Sequence, residues 1–190
     1  MKLDTVMNAE QSIIEGCKAG KRRFQNRLYS MYSRSLFTIC LRYSKNKEEA
    51  EDLLQDCFIK IFEHIYEYRG EGSFEGWLKR ITINTAISRF KKNSKLQVLS
   101  GLDGFEELAR DDDKDAEESF LISDVQSQWI MDAIQELPSG YNHVFNLHIF
   151  EGYTHKEIGS MLGVSENTSK SQLSKARKYL QNKLSYLVKG

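Results

Sequence analysis

Two stretches of this chain carry side chains suited to holding nucleic acid, and neither carries a catalytic set. Near the C-terminus, Asn167, Thr168, Ser171, Ser174, Lys175 and Lys178 fall on one side of a helix turned at about 100° per residue, with Lys170 and Arg177 on the flank. Small polar groups followed by cations suit base edges first and phosphates after. The second stretch, Tyr66 to Ser73, reads Tyr-Glu-Tyr-Arg-Gly-Glu-Gly-Ser. Aromatic rings in a loop beside a cation are the raw material for stacking an unpaired base.

Each stretch needs elements to position it. Thr154-His155-Lys156-Glu157 has the form of a capping box, so a helix starts there, with Ile158, Met161 and Leu162 as its apolar stripe. Gly163 ends it in a turn that needs positive φ, Val164 plugs the gap, and Ser165 caps the next helix. Leu173, Ala176 and Leu180, with Ser169, fall opposite the polar face and must point to a core. That is a helix-turn-helix layout. An ordinary amphipathic surface helix would also be polar outside. The ordered run of cap, turn, short helix and basic helix favours the DNA reading.

Upstream, Gln11 to Cys17 reads as a short helix broken at Gly20, and a longer pattern runs from Phe24 to about Tyr43. From Lys47 to Ile65 a sharp stripe of Leu53, Leu54, Cys57, Phe58, Ile61, Phe62 and Ile65 forms one buried face. Asp52, Gln55, Asp56, Ile59 and Glu63 lie outside it, equally readable as a solvated face or a partner surface. Ser73 caps a helix to about Lys92, with Phe74, Trp77, Leu78 and Ile81 inward. Lys79, Arg80, Asn84, Ser88, Arg89, Lys91 and Lys92 form its polar and basic flank. Trp77 could stack a base, but its spacing with Leu78 and Ile81 favours the core. Periodicity fails from Asn93 to Ser123. Helical pattern returns from Val125 to Leu137, Pro138 stops it, and Ser139 caps a further helix before Gly152.

The expected fold is therefore all-α: two small helical bundles, residues 1–95 and 125–190, joined by a flexible acidic linker, 96–124. The formal net charge of zero hides this division. Residues 1–95 hold 18 Lys and Arg against 12 Asp and Glu, and 129–190 hold 7 against 5. Residues 96–128 hold 2 against 10, so the connector masks two basic segments. A 40% hydrophobic content supplies packed cores, and a mean hydropathy of −0.53 fits a soluble chain. No run approaches the roughly 18 apolar residues of a membrane span, and the polar N-terminus lacks the apolar run of a signal peptide. Cys17, Cys40 and Cys57 are odd in number and far apart, which fits core thiols in a reducing cytoplasm. His64, His143, His148 and His155 share no metal-ligand spacing. The carboxylate run Asp111 to Asp115 is too flexibly placed to hold a metal rigidly. The chain is expected to need no cofactor and no metal, and not to be an enzyme.

Several stretches then occur in one order: Asp52-Leu53-Leu54-Gln55-Asp56-Cys57-Phe58-Ile59-Lys60, Gly72-Ser73-Phe74 with Trp77-Leu78, and Ile81-Thr82-Ile83-Asn84. Ala133-Ile134-Gln135-Glu136-Leu137-Pro138 follows, and then Glu157-Ile158-Gly159 leading to Thr168-Ser169-Lys170-Ser171. Together, from about Arg23 to Leu184, the chain resembles bacterial alternative sigma factors of the extracytoplasmic-function (ECF) class, in the sigma-70 family. The resemblance implies a cytoplasmic promoter-specificity subunit. Its partners would be core RNA polymerase, promoter DNA and an anti-sigma factor, with no small-molecule substrate and no membrane insertion. It implies polymerase binding by Asp52, Gln55 and Asp56. It implies minus-ten recognition and melting by Tyr66, Glu67, Tyr68, Arg69, Lys79, Arg80, Asn84 and Arg89. Minus-thirty-five recognition falls to Ser165, Asn167, Thr168, Lys170, Ser171, Gln172, Lys175 and Lys178.

Three positions depart from the family pattern: Ser169 replaces an apolar residue, Gln172 an arginine, and Asn167 a common glycine. Ser169 is expected to weaken packing under the second helix, and Gln172 to change upstream-box affinity. The competing reading is a stand-alone dimeric helix-turn-helix regulator on a palindromic operator. It explains Thr154 to Leu180 but gives no task to the Tyr66 to Ser73 loop.

Overall fold

The computed structural model describes the backbone of residues 2–99 and 124–188, and the side chains of residues 9–94 and 129–185. The described residues are helical, with no strand among them. No helix among them is long and apolar enough to cross a membrane. The chain divides into two compact units, Met1–Ala86 and Ile87–Gly190.

In the first unit, α1 (Lys2–Lys18) and α2 (Arg22–Tyr43) meet across a turn at Gly20, whose φ of 68° suits glycine. The helix α1 is longer than the expected Gln11 to Cys17, because its polar first turns give no apolar period to reveal it. Among its described side chains, Ile13, Ile14 and Cys17 are buried. Leu28, Tyr32, Leu36, Ile39, Cys40 and Tyr43 line the inner face of α2, spaced three and four apart. Asn46, expected as part of a turn, caps α3 (Lys47–His64) by accepting from the Glu49 N–H at 2.8 Å. Glu48 and Glu49 then sit at the positive end of the helix dipole. The predicted stripe of α3 is buried from Leu53 to Ile65, with Phe62 only half-buried. A 3₁₀ turn, Ile65–Glu67, leads to α4 (Phe74–Leu99).

The helix α4 outruns its expected end at Lys92, and no glycine or proline stands between Lys92 and Leu99 to stop it. Residues 96–99 of the expected linker therefore continue α4. The rest of that linker, 100–123, lies outside the described residues.

In the second unit, α5 (Asp124–Gln135), α6 (Ser139–Phe145) and α8 (Glu166–Val188) supply a core of Ala133, Ile134, Leu137, Ala176 and Leu180 with its flanking aromatics, and α7 (His155–Leu162) packs on α8 with Ile158, Gly159 and Leu162 buried. Pro138, not Ser139, is the capping residue of α6; its fixed ring leaves Ser139 to begin the helix. The Asn142 side chain of α6 donates to the Ile134 carbonyl at 2.8 Å, satisfying one of the orphan acceptors at the end of α5. A π turn, Asn146–Phe150, continues α6, where the sequence suggests plain helix.

Gly16 faces α2 so closely that a methyl group there would overlap the Phe24 ring. Gly16→Ala is expected to destabilise the first unit by about 1–3 kcal/mol, the usual cost of overpacking, read from a denaturant melt.

Candidate nucleic-acid interface

The C-terminal candidate site is built from its turn outward. Thr154 accepts from the Glu157 N–H at 3.3 Å, while the Glu157 carboxylate accepts from the Thr154 N–H at 2.9 Å, completing the predicted capping box. The Thr154 hydroxyl also donates to that carboxylate at 2.7 Å, and this bond first, then the backbone one, holds the Glu157 carboxyl below its ordinary range. Gly163 closes α7 in the left-handed region, at φ 78° and ψ 32°. Ser165 accepts from the Thr168 N–H at 2.9 Å and so caps α8. At Gly159 a side chain would begin 2.8 Å from the Val164 carbonyl oxygen, so the turn folds directly back over α7.

This packing fixes which face of α8 looks outward. Ser169, Leu173, Ala176 and Leu180 are buried, as their angle predicts. Ser165, Asn167, Lys170, Ser171 and Lys178 are exposed, and Thr168 and Lys175 are half-buried. Lys170 is bridged to Glu166 at 2.8 Å, and that hydrogen bond draws the Glu166 carboxyl down from its ordinary range. Gln172 does not join this outward set. It is 9% exposed, with its amide nitrogen 3.2 Å from where a side chain on Gly140 would begin. Residue 172 stands three after Ser169 and four before Ala176, so it shares their inward face. Of the residues named for the upstream box, it is the one turned inward. Ser169, expected to weaken the packing, is fully buried with its hydroxyl 2.9 Å from His155 Nδ1. The polar atom therefore has a partner.

In the N-terminal unit the two tyrosines of the loop have opposite fates. Tyr66 is 66% exposed. Tyr68 is 8% exposed, its ring against Phe74 at 5.0 Å and Trp77 at 5.5 Å. Its hydroxyl donates to the Gly72 carbonyl at 2.9 Å, and its own carbonyl accepts from Lys18 Nζ at 2.7 Å. Burial raises its phenol pKa. Tyr68 is thus a brace of the loop, its ring largely covered by Phe74 and Trp77 where that of Tyr66 is open. Trp77 is half-buried and stacked on Phe74 at 5.7 Å, largely as its spacing predicts.

Glu67 is exposed and hydrogen-bonded to His64 at 3.0 Å, the first cause of its lowered pKa. Arg69, Arg80 and Asn84 are exposed and Arg89 is half-buried. Lys79 is half-buried and pairs with Glu75 at 2.9 Å. Arg80, Asn84 and Ser88 recur every four residues and form one open row on α4. Asp52, Gln55 and Asp56 are exposed on α3, and beside them Ile59 is 56% exposed.

Lys18 and Gly159 are absent from the residues the sequence singles out for function. Lys18 acts on a residue 50 positions away, for which the sequence carries no local sign. Gly159 lies within the quoted motif, and only the folded turn shows why it is glycine.

A helix-turn-helix with a polar and basic outward face, in a chain whose other unit exposes Tyr66 and a polar, basic row on α4, is the arrangement of a nucleic-acid-binding protein. Comparison with known proteins makes this specific. The sigma-70 region 2 family matches residues 28–96, and the sigma-70 region 4 family matches residues 127–180. The ECF RNA polymerase sigma factor SigE of Mycolicibacterium smegmatis is 28% identical over 165 residues, which cover 85% of this chain and 61% of that longer protein. The ECF RNA polymerase sigma-E factor of Haemophilus influenzae is 25% identical over 184 residues, 94% of this chain and 97% of that protein. A solved structure of the sigma factor RpoE from Bartonella quintana, in complex with the anti-sigma factor NepR, overlays with a TM-score of 0.49. It is 22% identical and covers 84% of this chain and 96% of that one. The chain belongs to the sigma-70 family, in its ECF class, and is an alternative sigma factor that directs transcription initiation. A stand-alone dimeric regulator would leave the region 2 match without a purpose.

Gly159→Ala places a methyl against a backbone carbonyl that cannot swing aside. It is expected to cost the second unit about 1–3 kcal/mol and to weaken upstream-box binding by the holoenzyme. Thermal melts and footprinting at the upstream box check both.

Proposed function

We propose that the chain joins core RNA polymerase through the outer face of α3 and divides promoter recognition between its two units. Asp52, Gln55 and Asp56 bind the polymerase, with the exposed Ile59 adding an apolar contact among polar ones. The loop from Tyr66 to Arg69, with Lys79, Arg80, Asn84 and Arg89, recognises and melts the minus-ten element. Tyr66 supplies the open ring on which an extruded base stacks, while Tyr68 holds the loop that presents it. Ser165, Asn167, Thr168, Lys170, Ser171, Lys175 and Lys178 read the minus-thirty-five element as duplex. An anti-sigma factor is the further partner. The protein works in the cytoplasm by binding, without catalysis, cofactor or metal. The observation that carries this reading is the outward face of α8, small polar groups at its N-terminal end and cations behind them, held open by a turn that buries the opposite side.

Reconstituted run-off transcription with core polymerase is the direct test, and no transcript from any promoter in a genomic library would defeat the reading. Tyr66→Ala is expected to leave core binding intact and to lower open-complex formation about tenfold or more, matching the ~1–3 kcal/mol of one stacked base. Asn84→Ala should act in the same direction, and normal transcription by both variants would remove the melting site from this loop. Gln55→Ala combined with Asp56→Ala should reduce co-purification with core polymerase. Lys178→Ala should weaken duplex binding for all sequences alike and reduce the slope of log affinity against log salt by about one.

A further inference from the structure

The contact between His155 and Ser169 is one link of a longer chain. His155 is the first residue of α7, and its ring lies on that of His148 in the π turn, centroids 4.5 Å apart and planes 15° apart. His148 Nδ1 donates to the Tyr153 carbonyl at 2.9 Å, which fixes the orientation of the lower ring. On the other side His155 Nδ1 meets the Ser169 hydroxyl, a fully buried group of α8. One imidazole therefore joins the π turn, the first helix of the helix-turn-helix and the second.

We propose that His155 is a positioning residue for duplex recognition, a neutral imidazole held between His148 and Ser169 that seats α8 on α7 and loosens that seat when it takes a proton. This rests on the assignment of α8 as the helix that reads duplex DNA. The groups around His155 disfavour its cation, with one exception. Burial disfavours its cation most, then His148 on the π turn and Lys170 on α8, with Arg177 adding to them. Glu166 alone favours the cation, and it is already engaged with Lys170. His155 is thus held below its ordinary pKa of 6.5. The unfolded chain takes up the proton at higher pH than the folded one. The contribution of the contact is therefore complete above pH 6.5 and declines as pH falls from there through the lower folded-state value.

Hydrogen-exchange protection of the α7 and α8 amides, measured on the full chain from pH 7.5 down to 5.5, tests the seat itself. Protection around Ser169 should fall on acidification, by up to about tenfold for each unit that His155 lies below its ordinary value. His155→Gln retains a hydrogen-bonding side chain that cannot titrate, and should show protection that no longer depends on pH beyond the residual dependence of other groups. Equal acid sensitivity in wild type and His155→Gln would overturn the proposal, as would an NMR titration placing His155 at or above 6.5. The holoenzyme, offered a random duplex library at pH 7.5, supplies the DNA probe. Its affinity ratio between pH 7.5 and 6.0 should be larger for wild type than for His155→Gln. A duplex held with the same ratio by both proteins defeats the role of His155 alone. Recovery of no duplex at pH 7.5 defeats the assignment of α8 and this role with it.

Discussion

The second unit depends on one close approach, the Val164 carbonyl resting where a side chain on Gly159 would start. A helix whose second turn offers only hydrogen at Gly159 lets the following turn fold back at once, and Gly163 in the left-handed region supplies the reversal. With the turn so short, the direction and rotation of α8 have little freedom. Ser169, Leu173, Ala176 and Leu180 must then point inward, and the polar and basic residues between them outward. The capacity to meet DNA follows from a missing methyl group as much as from the lysines.

The first unit solves a different problem, which is to hold an aromatic ring in water. An exposed tyrosine on a free loop loses conformational freedom when it captures a base, and that loss subtracts from binding. Here the loop is fixed from within: Tyr68 lies among Phe74 and Trp77, Tyr32 meets Phe74 edge-on at 5.8 Å, and the Tyr68 hydroxyl closes on Gly72. Tyr66, two residues earlier within the 3₁₀ turn, is left outside. Rigid support next to an open ring is what a stacking platform requires.

Local chemistry made much of this legible in the sequence. The Thr154 to Glu157 capping box, the glycine at 163 and the seven-residue stripe of α3 each depend on neighbours within a turn or two, and each formed as its residues dictate. What was not legible has another cause. Tyr66 and Tyr68 have the same composition around them, and only contacts from α1 and α4 separate an exposed ring from a buried one. The resemblance places Gln172 with the DNA-facing set, while its helical angle sets it beside Ser169 and Ala176. The π turn at Asn146–Phe150 differs from an α-helix by one hydrogen-bond step, which apolar spacing does not register. The partner of Ser169 was invisible because His155 looked like one residue of a cap.

The bond from Lys18 to the Tyr68 carbonyl ties the amino-terminal helix to the loop that presents Tyr66. An ammonium group on that carbonyl is a charge-assisted bond across 50 residues of sequence, so the two segments cannot drift independently. A substitution that removes the cation from the first helix would hand that carbonyl back to water and slacken the tether between the two segments.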